Sequence, residues 1–178
     1  MTNKTAAQAP GESAPQVVGM VIVGGYLFVV MVFLFWMMLD SWGRQFTLAH
    51  LFFPNTKWLN YPSFRMMSYA CIGGGFGGVL NGFLTLLLAG NSGRFSLRSL
   101  LRYLALPWVG TIAGIFVQVI VRAFYLMGGS DFKGATGESI LMVAGAGVIG
   151  FLVYDLLLGA AALTQKISAA APRPPAGT

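Results

Sequence analysis

Four long apolar segments dominate this sequence and leave few ways for the chain to fold. The first, residues 17–39, contains no charged residue, and a helix rising about 1.5 Å per residue lets it cross a hydrocarbon core of about 30 Å. Three segments of similar length follow at residues 66–89, 103–127 and 139–163. Because backbone polar groups must be satisfied internally in lipid, we predict an all-α, polytopic membrane protein, a bundle of four transmembrane helices.

The composition agrees with a chain that lies in a bilayer. Apolar residues make up 56% of the sequence and charged residues 9%, whereas an average soluble domain is roughly a quarter charged. A water-soluble fold of 178 residues would leave much of this apolar surface exposed. The net charge of +6 comes from basic residues spread between the apolar segments. We interpret them as topology signals and lipid contacts, and we predict no binding of nucleic acid.

Less apolar sequence surrounds the four predicted spans. Residues 1–16 are polar and residues 166–178 are rich in alanine and proline, so both are predicted to be disordered tails around a transmembrane domain of residues 17–165. Residues 41–65 are too polar to cross the bilayer, but they are rich in aromatic residues, which favour the headgroup region. An interfacial segment is therefore predicted between the first and second spans.

The basic residues predict the orientation, because lysine and arginine in short loops are retained on the cytoplasmic side. With the N-terminus inside, six of the 11 basic residues lie inside. Arg94, Arg98 and Arg102 recur every four residues and so share one helix face, which is predicted to contact anionic lipid headgroups. We predict a multi-pass protein of the inner or cytoplasmic membrane, with membrane lipids as partners and both termini cytoplasmic.

Glycines at four-residue spacing mark faces along which helix backbones can approach closely. The second span carries the longest such stripe, and the third and fourth spans carry shorter ones. Two interpretations stay open, packing inside one bundle and contact between copies or with larger partners. The glycines predicted to pack helices are Gly74, Gly78, Gly82, Gly110, Gly114, Gly147 and Gly150.

Polar residues inside the spans are the best candidates for function, because ionisable groups there usually face the bundle interior or a water-filled cavity. Asp155 is the clearest case, since it lies roughly 12 Å from the predicted inner end of the fourth span. Counting inward from the same side places Asn81 at a similar depth, which predicts a contact between Asp155 and Asn81, direct or through one water. The predicted polar layer comprises Asp155, Asn81, Thr111, Tyr154, Gln118 and Arg122.

Signatures of catalysis and metal binding are sparse. The single cysteine, Cys71, and the single histidine, His50, lie in different segments, whereas metal sites usually need several converging ligands. We therefore predict no metal and no cofactor, with haem ligation by His50 as a minor alternative. Nucleophilic catalysis needs a base and an orienting acid beside the nucleophile, and no such arrangement is indicated, so we predict that the chain is not an enzyme. Cys71 is interpreted as a packing residue.

Two functions follow from these patterns. The first is a non-catalytic integral membrane subunit that packs through glycine-rich helix faces into a homo- or hetero-oligomeric envelope assembly. The alternative is a homo-oligomeric ion channel or small transporter with a polar path through Asp155, Asn81 and Gln118. The two differ in where Asp155 points, toward Asn81 within one chain or toward a symmetry axis or hydrated cavity.

Overall fold

The chain is all-helical in the residues that the structure, a computed structural model, describes, which are 14–43, 46–52, 61–92, 95–96, 99–128 and 136–170. The helices are α1 (Ala14–Trp42), α2 (Thr47–Phe52), α3 (Pro62–Asn91), α4 (Leu100–Met127) and α5 (Thr136–Ala170). Helices α1, α3, α4 and α5 are long and apolar enough to cross a membrane, which agrees with the number and order of the predicted spans.

The long helices extend past the predicted spans. α1 begins at Ala14 and α5 continues to Ala170, so a few residues of each predicted tail are helical. A helix can continue beyond an apolar segment where the sequence offers good helix formers such as alanine, glutamine and lysine. α3 begins at Pro62, a position where the missing N–H removes no helical hydrogen bond. Residues 1–13 and 171–178 lie outside the described residues.

The predicted interfacial segment contains the short helix α2. At the end of α1, the Asp40 carboxylate accepts hydrogen bonds from the Thr47 backbone N–H at 2.7 Å and from its hydroxyl at 2.6 Å. An acidic side chain thus satisfies a free N–H in the first turn of α2. Phe46, at a φ of 46°, is buried, and its ring centroid lies 5.8 Å from that of Phe64. These contacts hold the turn after α1 against the start of α3.

α3 is the central helix of the bundle, with α4 and α5 packed along two of its sides and α1 along a third. Gly74 of α3 meets Gly110 of α4, and Gly78 meets Leu106, so α4 runs antiparallel to α3. α5 runs parallel to α3, because Gly73, Gly77 and Asn81 of α3 contact Val143, Gly147 and Phe151 of α5 in the same order. α3 therefore controls the relative positions of the other spans.

Two apolar clusters flank the glycine contacts, one toward each end of α3. At the N-terminal part of α3, called the Met66 end here, the cluster consists of Met66, Tyr69, Ala70, Met142 and Ala146. At the C-terminal part, called the Asn81 end, it consists of Val23, Leu27, Val79, Phe95, Tyr103 and Leu106. Phe95 belongs to the α3–α4 connection, and its ring stacks on Tyr103 with centroids 5.9 Å apart. A loop side chain thus completes the core at the Asn81 end.

α1 and α5 are the most exposed of the four long helices, and α1 illustrates the pattern. It buries Val23 and Leu27, but Val21 and Val29 on its other faces are 69% and 65% exposed. Large contiguous apolar surfaces are rare on soluble monomers. This exposed apolar surface agrees with four candidate membrane spans.

Candidate functional site

The consecutive glycines of α3 lie where three helices approach it. A Cβ atom on Gly73 would collide with the backbone of Val143 in α5, and one on Gly74 with the backbone of Gly110 in α4. A Cβ on Gly75 would lie 2.9 Å from the Thr111 hydroxyl oxygen of α4 and 3.0 Å from the Leu34 side chain of α1. Neighbouring residues of a helix point in different directions, about 100° apart. Together the three glycines therefore make room for α5, α4 and α1.

All seven glycines that the sequence singled out contact other residues of the same chain. Gly110 and Gly150 approach the Gly74 backbone from two sides, and Gly114 meets the backbone of Ala70. Gly78, Gly82 and Gly147 meet Leu106, Leu27 and Gly73. These contacts correspond to the first interpretation of the stripes, packing inside one bundle. An assembly of several chains would therefore use surfaces other than these.

Asn81 is the best satisfied of the predicted polar residues. Its side chain is 3% exposed, and its amide N–H donates a 2.6 Å hydrogen bond to the Phe151 carbonyl of α5. Its amide oxygen accepts a 3.0 Å hydrogen bond from the Thr85 hydroxyl, one turn along α3. A buried amide with partners at both ends holds α3 and α5 in one register.

Asp155 does not meet Asn81, so the predicted direct contact is corrected by the structure. The partners of Asn81 are Phe151 and Thr85, and Asp155 is exposed. The α5 residues that contact α3 differ from their α3 partners by 70 to 76 in residue number, so Asp155 lies within about one turn of Asn81 in depth. The two side chains differ in direction, because Asp155 is exposed and Asn81 is buried.

Two other residues of the predicted layer, Thr111 and Tyr154, have separate partners. The Thr111 hydroxyl donates to the Pro107 carbonyl of its own helix at 2.9 Å. The Arg102 guanidinium carbon lies 4.4 Å from the centroid of the Tyr154 ring, which is cation–π geometry. Arg102, predicted to bind lipid headgroups, thus also joins the start of α4 to α5. Arg94 and Arg98 lie outside the described residues.

We expect the contact between Arg102 and Tyr154 to stabilise the fold measurably. Arg102→Gln should lower the free energy of unfolding by about 1 kcal/mol, because a cation–π pair contributes about 0.5–2 kcal/mol depending on desolvation. The measurement is a double-mutant cycle with Tyr154→Leu, using unfolding in detergent, with Arg122→Gln as the control because Arg122 is exposed. A coupling energy near zero would show that the contact between Arg102 and Tyr154 contributes nothing to the free energy of unfolding.

Gln118 and Arg122 lie at the Met66 end, far from Asn81. Together with Met66 and Met142 they line a crevice of about 20 Å³, roughly the space of a single water. Gln118 is buried and Arg122 is exposed. Met66 and Asn81 are separated by about 22 Å along α3 at the helical rise. The glycine backbone contacts occupy this interval, so the six predicted polar residues do not form one layer.

Sequence reasoning missed a polar contact that joins α1 to α4. The Tyr26 hydroxyl donates to the Leu104 carbonyl of α4 at 3.1 Å, and it accepts a 3.0 Å hydrogen bond from the indole N–H of Trp108. Tyrosine and tryptophan are common in membrane spans, and their spacing within α1 and α4 carried no signal that they pair. This contact orients α1, which otherwise packs mainly through apolar side chains.

The arrangement offers polar contacts between helices rather than a cluster of reactive groups. Among the residues that the structure describes, no group of three His, Cys, Asp or Glu side chains is placed to hold a metal ion. The interactions that this site offers are therefore hydrogen bonds between helices, the cation–π contact of Arg102 with Tyr154, and the exposed carboxylate of Asp155. Comparisons with protein-family models, with curated proteins and with solved structures gave no match for this chain.

Proposed function

We propose that this chain is a non-catalytic, multi-pass membrane subunit that assembles with further copies of itself or with other membrane proteins. Its four candidate spans and its exposed apolar side chains support insertion in a bilayer. The glycine backbone contacts and the hydrogen bonds within the chain support a rigid protomer. In this proposal they hold in place the surface that contacts a partner.

The observation that carries the proposal is the exposed carboxylate of Asp155. Asp155 lies within the candidate span Glu138–Ala160, about 7.5 Å from its end by the helical rise. An aspartate near the centre of a span costs about 2.5–3.5 kcal/mol on insertion scales, and less toward the interface. Ionisable residues in spans pair with protein groups or line water-filled cavities. A protein partner on the outer face of α5 would relieve the cost that a lone protomer bears.

A channel through Asp155, Asn81 and Gln118 receives less support from the geometry. The Asn81 amide is occupied by Phe151 and Thr85, and glycine backbone contacts fill the interval toward Gln118. A path inside one protomer would have to break these contacts. The remaining version of this alternative is a path between protomers, lined on one side by Asp155.

The proposal predicts that the chain is extracted from its native membrane together with at least one other protein chain. Extraction into lipid nanodiscs without detergent should give particles that contain at least two protein chains, either two copies of this 19.0 kDa chain or one copy with another protein. The measurement is native mass spectrometry combined with protein identification. Particles that contain one chain and no other protein, at native expression level, would contradict the proposal.

A flux assay separates the subunit from the channel. The wild-type chain and Asp155→Asn, reconstituted in liposomes at equal density, should both leave ion flux at the level of empty liposomes. Flux that requires the wild-type chain and falls in Asp155→Asn would favour the alternative function.

A further inference from the structure

The crevice at the Met66 end contains a buried amide that the chain leaves unsatisfied. Gln118 is 8% exposed and lines the crevice, and its side chain makes no hydrogen bond to any residue that the structure describes. Asn81, the other buried amide, has partners at both ends. Buried polar groups are hydrogen-bonded in the large majority of cases. A polar group from outside the chain is therefore expected beside Gln118.

Two further polar side chains, Arg122 and Ser63, line the same crevice and are exposed. Gly114 of α4 meets Ala70 of α3, and the two helices are antiparallel, so about two turns further along α4 Arg122 is level with Ser63 in the first turn of α3. Free N–H groups at a helix N-terminus favour an anion. Arginine, serine and glutamine side chains all donate hydrogen bonds, and the described residues that line the crevice include no carboxylate. This set of donors fits an anion.

The size and the depth of the crevice indicate which anion. Its volume of about 20 Å³ admits one oxygen atom of the size of a water, so one oxygen of a larger anion can enter while the others stay near Arg122. Arg122 lies about 7.5 Å from the end of α4 at Met127 by the helical rise, where a long basic side chain reaches the headgroup region of a bilayer. The phosphate of a phospholipid is the anion present at that depth.

An apolar groove of about 180 Å³ lies between α4 and α5 beside the crevice, and Met142 lines both. The groove extends from Tyr125 and Glu138, near the helix ends, to Val117 and Gly145, about 12 Å along α4 by the helical rise. A Cβ on Gly145 would meet no atom within 4 Å. An acyl chain can lie in this groove, but lipid tails are equally apolar elsewhere in the bilayer. The polar crevice must therefore provide the preference for one molecule.

Resting on the bilayer insertion of the function proposed above, but not on assembly with a partner, we infer that the crevice and the groove bind one membrane phospholipid. One phosphate oxygen accepts a hydrogen bond from the Gln118 amide and another from the Arg122 guanidinium, a charge-assisted pair. One acyl chain lies in the groove between α4 and α5. Glu138 at the mouth of the groove disfavours a second negative charge on the phosphate, so the headgroup is a phosphodiester.

Native mass spectrometry of the full-length chain, delipidated in detergent, measures this binding with phosphatidylglycerol as the probe. The wild type should bind phosphatidylglycerol at least about tenfold more tightly than diacylglycerol with the same acyl chains. It should also bind it at least about tenfold more tightly than glycerophosphoglycerol, the same headgroup without acyl chains. Equal affinity for diacylglycerol would overturn recognition of the phosphate, and equal affinity for glycerophosphoglycerol would overturn the lipid as its source.

Two variants test the polar crevice. Gln118→Leu removes the amide at a similar size and Arg122→Gln removes the charge, and each should weaken phosphatidylglycerol binding about tenfold. Thr111→Val is the matched control on α4, because the Thr111 hydroxyl bonds within its own helix. Unchanged affinity in both variants would mean that the crevice holds no more than a water, and would overturn the inference.

Thermal unfolding separates binding from folding in the same variants. In lipid-free detergent Gln118→Leu should unfold at or above the wild-type temperature, because the amide has no partner in the described chain to lose. Added phosphatidylglycerol should raise the unfolding temperature of the wild type more than that of Gln118→Leu. An equal rise in both proteins would contradict a phosphate bound to Gln118.

Gly145→Leu tests the groove, because the new side chain fills it. The matched control is Gly25→Leu on α1, whose Cβ position also has no atom within 4 Å. We expect Gly145→Leu to weaken phosphatidylglycerol binding at least about tenfold and Gly25→Leu to leave it unchanged, whereas wild-type affinity in Gly145→Leu would overturn the groove as the site of the acyl chain. Assembly is measured on particles from native membranes and lipid binding on the purified chain, so either proposal can fail while the other holds.

Discussion

Replacing Gly74 with leucine is expected to prevent the bundle from folding. A Cβ on Gly74 would collide with the backbone of Gly110 and lie 3.0 Å from the Cα of Gly114, both in α4. Overpacking in a core costs about 1–3 kcal/mol when neighbouring side chains can shift, and backbone cannot rotate away. We expect a loss of at least about 3 kcal/mol, a large part of a typical stability of 5–15 kcal/mol. The measurement is the yield and thermal unfolding of the detergent-solubilised protein.

Two further variants show whether the effect comes from that contact. Gly74→Ala adds one methyl group and should give a smaller loss in the same direction. Gly25→Leu makes the same glycine-to-leucine change where the added side chain meets no atom within 4 Å, so it should unfold like the wild type. If Gly74→Leu and Gly25→Leu gave equal yields and unfolding temperatures, α3 could not be the close-packed centre of the bundle.

The four long helices could be predicted because their signal is local. A run of apolar residues long enough to cross a bilayer can be recognised in the sequence alone. All four predicted spans lie within helices of the structure. The glycine stripes could be found for the same reason, since four-residue spacing on a helix defines a face. The identity of the helix that each stripe meets could not be predicted. It depends on how α4 and α5 are placed around α3.

Direction was the weak step in predicting the polar contacts. The levels of Asp155 and Asn81 were compared by counting from predicted helix ends, and such a count does not say which face of the helix a side chain occupies. Asp155 is exposed on α5, and the Asn81 amide bonds to the backbone carbonyl of Phe151 instead.

Contacts that depend on a backbone carbonyl or on a loop gave no sequence signal. Tyr26 bonds to a backbone carbonyl of α4, and a carbonyl is present at every residue. Phe95 enters the core from a connection between helices, where neither helical nor strand periodicity applies. Such contacts require the fold before they can be recognised.

Asn81→Leu is expected to be the second most damaging of these substitutions. It removes the hydrogen bond to the Phe151 carbonyl and the partner of the Thr85 hydroxyl, and it adds apolar volume at a position that is 3% exposed. Hydrogen bonds between membrane helices contribute about 0.6 kcal/mol on average and up to about 1.7 kcal/mol. With the added misfit, we expect a loss of about 1–2 kcal/mol in the free energy of unfolding.

The contribution of the hydrogen bonds can be separated from that of packing by a double-mutant cycle with Thr85→Val. If the amide network acts as a unit, Thr85→Val should destabilise the wild type by about 0.5 kcal/mol and have little further effect in the Asn81→Leu background. Thr111→Val is the matched control, because the Thr111 hydroxyl bonds to a carbonyl of its own helix and joins no two helices. Additive losses for Asn81→Leu and Thr85→Val would mean that Asn81 acts through its shape alone, and the register of α3 and α5 would then rest on the glycine contacts without support from the amide.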